Sequence, residues 1–466
     1  MQPEMTNNLF RKFAAFVAIA ALMLAGSMSL TAADSHKSDK ADTEEHHAAA
    51  ADADHGHDHK HAAEEAGWVK KAAYSYLTAY MFFLSIGLGS LFLILIHHLF
   101  DAQWLVPIRR YLETVATLLG VPLGLLFIPI LVLQQTIFPW LTVDPAGDHA
   151  LYAKKALLNP VMFNVISVLL FVFWWYFTGR LRYWSTQQDI AEVENGGYEG
   201  KTDPWERFLV FITSRKIMGH VIEERPAVLC SRMMNIHASY GILAFALTLT
   251  LAAIFWMKSI QYQWFSTMYG VYYFAGSVWL ALAVAYYMQL RLKEMGPLEH
   301  VVTRATTHDT GKLFFAFTVF YAYIHFSQYF LIWNAAIPEE TFWYVQREQG
   351  TWWAIGQIII FGHFFIPFIA LLPIWTKVHP VSKYGIFIWA LLMHYIDMNF
   401  NIMPNVYPKN FFFCHWDVLS LGIIGFVIWW QFHARYRQFA PYPQRDPRIA
   451  EAMGVYVEPE GGEQAV

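Results

Sequence analysis

From residue 77 onward the chain carries nine apolar stretches, each about 20 to 24 residues long: 77–99, 112–134, 158–179, 236–257, 268–290, 313–333, 353–376, 384–403 and 414–433. At 1.5 Å per residue, a helix of this length crosses the ~30 Å hydrocarbon layer of a bilayer. Inside lipid every backbone N–H and C=O must find a partner within the protein, which leaves helices and closed barrels as the only spanning structures. Runs this long and this uniformly apolar fit helices. The expected fold class is therefore all-α, a polytopic transmembrane helical bundle of nine core helices. Trp140, Trp174, Trp175, Trp264, Trp333, Trp352 and Trp429 fall near the ends of these stretches, where interfacial belts place aromatic residues.

Composition agrees and excludes other classes. The 466 residues are 56% hydrophobic, 18% aromatic and 15% charged, a balance that a water-soluble domain of this length would hardly hold in solution. The formal net charge of -4 leaves no large basic surface, so nucleic acid is not an expected partner. The two cysteines, Cys230 and Cys414, cannot form the thiolate set of an iron–sulfur cluster or structural zinc. There is no Cys-x-x-Cys-His segment for covalent haem. Electrons handled near this chain must belong to other subunits or to a diffusible molecule.

The amino-terminal part reads in two pieces. Residues 1–33 contain Arg11 and Lys12, an apolar run from Phe13 to Gly26 and small residues ending at Ala33, the layout of a secretory signal or, if retained, of a tenth, anchoring helix. Residues 34–66 form a low-complexity linker rich in Ala, Asp, Glu and Lys, with His46, His47, His55, His57, His59 and His61 among the acids. It reads as a solvated spacer rather than a metal-collecting tract, because composition fixes no coordination geometry, and no metal site is expected. The transmembrane domain is expected over 67–435 and a tail over 436–466.

Loop charges predict the orientation. With the amino end of the first core helix outside, Arg109, Arg110, Lys377, Lys383, the basic residues of 180–235 and 291–312 and those of the tail fall inside. Only Lys154, Lys155, Lys258, Arg347 and Lys409 fall in the outside loops. The expected location is the bacterial inner membrane, with the His-rich linker periplasmic and the carboxyl terminus cytoplasmic. On this basis His97 and His98 read as interfacial, and Arg109, Arg110 and Glu113 as a solvated inner rim.

Ionisable residues at membrane depth are costly and face a partner, a cavity or a proton path. His394, Asp397 and Asn401 lie three and four residues apart and share one helical face. His325 and Gln328 are related in the same way on an earlier helix, His363 lies on the next, and His415 and Asp417 open the last. The topology puts Gln328, His363, Asp397, Asn401, His415 and Asp417 in the outer half, with His325 and His394 near the midplane. Quinol oxidation needs acceptors for two hydroxyl groups and bases for their protons, and a His beside a carboxylate suits both tasks. Asp397 and His394 are the expected proton acceptors or relays, with His325, Gln328, His363, Asn401 and Asp417 as pocket partners. For a single His, an interhelical hydrogen bond without chemistry is the competing reading.

Several longer runs carry a resemblance. GLGSLFLILIHHLFDAQW over 87–104, WFSTMYGVYYFAG over 264–276, HDTGKLFFAF over 308–317, FSQYFLIWNAAIPEET over 326–341 and HFFIPF over 363–368, followed by His394 and Asp397, resemble the polysulfide-reductase-like (NrfD-like) membrane subunits of alternative complex III. Together they look like the second quinone-binding-type subunit of that complex. The resemblance covers roughly residues 70 to 435. It implies two four-helix bundles plus additional helices, and quinone or quinol as the bound molecule. It also implies a quinol:cytochrome c oxidoreductase in which a sister NrfD-like subunit, an iron–sulfur subunit and c-type haem subunits are separate chains. Members of this type have a His-rich segment after an amino-terminal hydrophobic run, as here. Rival readings are a structural anchor without its own quinone site and a secondary transporter, which would call for internal repeats and discontinuous helices around a midplane site.

Overall fold

A computed structural model describes residues 56–190, 226–379 and 382–455, with side chains from 67, and these residues are helical with no strand among them. The signal or anchor over 1–33 and most of the His-rich linker lie outside the described residues. Nine helical elements are long and apolar enough to cross a membrane: α1 Gly67–Leu99, α2 Gln103–Val132, α3 Pro160–Asp189, α4 Leu229–Trp256, α5 Tyr269–Glu294, α6 Arg304–Ala335, α7 Thr351–Leu371, α8 Ser382–Asn405 and α9 His415–Tyr436. Each overlaps one of the nine stretches expected from sequence, and the chain is an all-α, multi-pass membrane protein. The helix of α1 starts further back, at Gly56, inside the stretch read as linker. Ala62, Ala63, Glu64, Glu65 and Ala66 are strong helix formers, and extending an existing helix costs far less than nucleating one.

Helix packing sorts these elements into two rings of four. α1, α2, α3 and α4 pack in sequence with α4 closing back on α1; α5, α6, α7 and α8 do the same with α8 closing on α5. The rings meet chiefly along α1 and α5, the two most buried spans, while α9 lies outside against α1 and α2. Small residues allow the central contact. A Cβ on Gly89 of α1 would collide with the Ser277 carbonyl of α5, and Ala281 and Ala285 continue the small face. Lipid tails give helices no hydrophobic reason to associate, so backbone approach of this kind supplies the packing.

Local chemistry sets the ends and breaks. Thr303 caps α6, its hydroxyl accepting from the Thr306 N–H at 3.1 Å, and Ala336 ends it in the left-handed conformation at φ 52°. A short helix, Pro338–Arg347, has Pro at its start, Glu339 and Glu340 in its first turn and Arg347 in its last, in the order the helix dipole favours. Arg347 then bridges out of its own helix, keeping one bond to the Trp343 carbonyl at 2.9 Å. Its guanidinium donates to the carbonyls of Phe400 and Asn401, each at 2.9 Å, and lies 3.5 Å from the Trp343 ring centre, so it caps the carboxyl end of α8. Burial holds its pKa down to about 9, which leaves it cationic at neutral pH.

The face with Arg109 departs from the expectation of a solvated rim. Arg109, Arg110 and Glu113 are buried, as are His97 and His98. The tail after α9 folds back over them: Asp446 pairs with Arg109, Arg448 bonds both Asp446 and Asp101, and Glu113 ties Arg109 at 3.1 Å to Arg182 at 3.2 Å. An inward-pointing arginine pair at a helix start looks like a rim in sequence because its partners come from elsewhere in the chain: Arg109 pairs with Asp446, 337 positions away, and Arg110 with Asp189, 79 positions away.

Candidate functional site

The site lies in the second ring and is built around α8. Its residues Asp397 and Asn401 face α5, where Tyr269 and Tyr272 are three apart and so share a face. The Tyr272 hydroxyl donates to Asp397 Oδ1, and Asn401 Nδ2 donates to the Tyr272 oxygen at 3.0 Å, to the Asp397 carbonyl at 2.8 Å and to Oδ1 at 3.3 Å. Asn401 Oδ1 in turn accepts from Tyr269 at 3.2 Å. The Tyr321 hydroxyl of α6 is 3.2 Å from that of Tyr272. Since the Tyr272 proton is already given to Asp397, Tyr321 is the donor of that pair. All of these side chains are buried, and Asp397 Oδ2 has no hydrogen-bond partner.

His394 lies one turn before Asp397. Its Nε2 is 3.0 Å from Ser85 Oγ on α1, and Ser85 donates its single proton to the Phe82 carbonyl at 2.6 Å. The serine must therefore accept from His394, which puts the imidazole proton on Nε2 and leaves Nδ1 with a bare lone pair. That Nδ1 is buried without a partner. Gly276 of α5 faces it: a Cβ there would come within 2.9 Å of His394 Cε1 and 3.3 Å of Nδ1.

His363 reaches the same place through a local irregularity. Pro367 has no N–H to offer the carbonyl four residues back, which is that of His363, and its ring would crowd it. The helix responds with a π turn over Ile360–Phe365, where the Ile366 N–H bonds back to the Phe361 carbonyl. Widened turns of this type recur at functional sites. The turn sets the His363 ring between Trp279 of α5, with ring centres 3.9 Å apart, and Tyr321, at 3.7 Å. Trp279 is fixed by its own bond to Thr318 at 2.8 Å. Both nitrogens of His363 are buried without partners. One nitrogen of His363, one of His394 and one carboxylate oxygen of Asp397 lie within 4.8 Å of one another, so among the described residues these three form a group able to hold a cation.

The remaining expected residues separate. His325 joins the edge of the cluster, with its ring 5.4 Å from that of Tyr272 and 5.9 Å from that of Tyr321. It is half-buried, its Nδ1 is unpartnered, and the flanking Tyr323 and Phe326 are exposed on the outer surface of α6. Gln328 sits one turn further on, accepting from Ser266 and donating to Tyr344, each at 3.1 Å. Asp417 is not part of the cluster: its Oδ2 accepts from the Cys414 N–H at 2.9 Å and caps α9. His415 is exposed and packs on Trp416.

Tyr272, Tyr321, Tyr269, Trp279 and Ser85 complete the site and were not singled out from sequence. A signal existed for one of them, since Tyr321, His325 and Gln328 recur at helical spacing on one face of α6. No known family model matches the chain, and no curated protein matches it.

Proposed function

We propose that this chain is the membrane subunit of a quinol:electron-acceptor oxidoreductase of the alternative complex III type, in which the Asp397 cluster takes up and passes on protons released from quinol. One observation carries the reading: Asp397 is a carboxylate buried within a membrane span, hydrogen-bonded by Tyr272 and Asn401, with two imidazoles beside it. Isolated buried acids in membranes are expensive, and one surrounded by exchangeable hydroxyls and imidazoles has the makings of a relay. Oxidation of a quinol releases two electrons and two protons. The electrons leave to metal centres on partner subunits. The protons need a base at the ring and a route away from it.

His325 is suited to meet the ring. It stands where the exposed aromatic face of α6 gives way to the cluster, and its Nδ1, buried and unpartnered, would accept from a quinol hydroxyl once the ring turns toward the lipid face. From there Tyr321 and Tyr272 form a hydroxyl chain to Asp397, each able to pass a proton while receiving another. Asn401 positions Tyr272 and Tyr269 rather than carrying charge, and Gln328 holds Ser266 and Tyr344 one turn away. In this reading the cluster faces the outer side of the bacterial inner membrane, and the partners are a sister NrfD-like subunit, an iron–sulfur subunit and c-type haem subunits.

The test uses the intact complex isolated by mild solubilisation through a tag on this chain. Multihaem and iron–sulfur chains should co-purify, and Tyr272→Phe, which removes the hydroxyl from Asp397, should assemble normally and oxidise quinol about ten-fold or more slowly. A chain that purifies alone, or a Tyr272→Phe complex with the unaltered rate, would contradict the proposal.

A further inference from the structure

We propose that His363, His394 and Asp397 form a binding site for one divalent transition-metal cation of the zinc or cobalt type. The inference goes beyond the quinol reading and does not depend on it. Three observations converge. Donor atoms of the three residues lie within 4.8 Å of one another, on two helices whose relative position is fixed by packing. The atoms that would bind are those left over: His394 Nδ1, both nitrogens of His363 and Asp397 Oδ2 are buried and have no hydrogen-bond partner. Lastly, hydrogen bonds that would orient the ligands are already in place for His394 and Asp397.

Metal-bound imidazoles donate their other N–H to an oxygen, which fixes the tautomer and aims the lone pair. Ser85 does this for His394, holding the proton on Nε2. Tyr272 and Asn401 hold Asp397 Oδ1 and leave Oδ2 open. Trp279 and Tyr321 clamp the His363 ring in one plane. Gly276 keeps the space beside His394 Nδ1 clear.

The donor set selects the ion. Two imidazoles and one carboxylate suit zinc, cobalt, nickel and copper, whereas calcium and magnesium prefer all-oxygen shells. In a tetrahedral zinc site with bonds near 2.0 to 2.2 Å, donors are about 3.3 Å apart, so the side chains must close by roughly 1.5 Å or less on binding. Three protein ligands leave one position for water. One cation with a single carboxylate keeps a net positive charge, which the phenol oxygens of Tyr272 and Tyr321 partly offset.

The probe is Co²⁺ alone, added to the full chain in detergent. Tetrahedral Co²⁺ absorbs visible light far more strongly than octahedral Co²⁺, and Zn²⁺ should displace it. The histidines of residues 34–66 can also take up metal, so the full chain with His36, His46, His47, His55, His57, His59 and His61 replaced by Ala is measured alongside. We expect that chain to bind one Co²⁺ with the intense tetrahedral bands. In the same background Asp397→Asn and His394→Gln should lose the bands and bind at least about ten-fold more weakly. Absence of bound Co²⁺ in the linker-substituted chain would overturn the proposal, and that chain carries the native cluster, so the result stands even if the other variants fold poorly. Equal spectra and affinity in that chain and in Asp397→Asn would overturn it equally. Co²⁺ binding is read without quinol turnover, so failure of this site and failure of the quinol reading are told apart.

Discussion

Asp397 and Asp417 are both buried acids in the last two spans, and their neighbours give them different work. Asp417 is three residues after Cys414 and closes a capping box at the start of α9, a task set by local backbone geometry. Asp397 is in mid-helix, where backbone N–H groups are already used, so its partners are side chains: Tyr272 from α5, Asn401 one turn on in its own helix and, through Tyr272, Tyr321. In sequence the His394, Asp397 and Asn401 face was legible from spacing alone. Which acid is a cap and which is a site was not, because that depends on where a helix starts to within a residue. Ser85 was illegible for another reason: its role rests on a donor–acceptor count with Phe82 and His394, a residue 309 positions away. At this scale Gly276 gives a clear prediction. Gly276→Ala drives a methyl group against His394, and overpacking of this kind costs about 1 to 3 kcal/mol. The purified variant should melt several degrees below the parent, and an unchanged melting temperature would show that α5 and α8 can separate freely there.

The elements show where apolar pattern suffices and where it does not. Nine spans followed from length and hydropathy, and their ends shifted by up to about ten residues, as where the Thr303 cap extends α6 into polar sequence. Breaks were less visible. The second span is interrupted after Ala116 and again after Leu126, near Pro122 and Pro129, yet the Asp397 cluster is built from α5, α6, α7 and α8 with Ser85 from α1. A transporter of the discontinuous-helix type would place its break at its binding site. The seventh span is the one whose irregularity serves the cluster. Pro367→Ala restores an N–H for the His363 carbonyl and lets the π turn relax to α, a one-residue change that rotates the ring by about 100°. His363 would then leave its place between Trp279 and Tyr321. The expected result is an assembled complex whose quinol oxidation falls at least ten-fold, in line with the ~10²-fold that an ångström of misplacement can cost. Retention of the parental rate would mean that His363 does not need this position.

For the whole molecule, two four-helix rings meeting along α1 and α5 leave the tail to close one face. Asp446, brought back by the turn after α9, is buried against Arg109. Burial alone would raise its pKa, but the guanidinium groups of Arg109 and Arg448 hold the carboxyl well below the usual carboxylate range. A depressed pKa stabilises the fold fully above the unfolded value, near 4, and that contribution fades as the pH drops toward the folded value. Asp446→Asn leaves Glu113 as the one carboxylate beside Arg109, with the neutral Gln188 and Ser185, and should cost about 3 kcal/mol, as expected when one partner of a buried ion pair is removed. Melting temperatures should differ between parent and variant by a constant amount from pH 5 to 8 and converge below about pH 4. A gap that persists at low pH would assign the effect to packing instead.

Orientation is a property of the same scale. The exposed residues His300, between α5 and α6, and Glu339, after α6, lie on opposite faces. With the native cysteines replaced, His300→Cys should resist an impermeant thiol reagent in sealed cells and Glu339→Cys should react, if the basic loops are inside. The reverse pattern would invert the topology.

The central claim is that Asp397 carries protons, and the most direct measurement is quinol oxidation by the assembled complex with Asp397→Asn. The substitution keeps the size and much of the hydrogen bonding but removes the exchangeable acid. With assembly checked by co-purification and turnover followed from about pH 6 to 8, the account predicts a rate lowered about ten-fold or more, on the order of a lost general base. His394→Gln combined with it should add little, since neighbours acting as one unit are not additive. An assembled Asp397→Asn complex that turns over quinol at the parental rate throughout that range would contradict the account and leave the chain a brace for its partners.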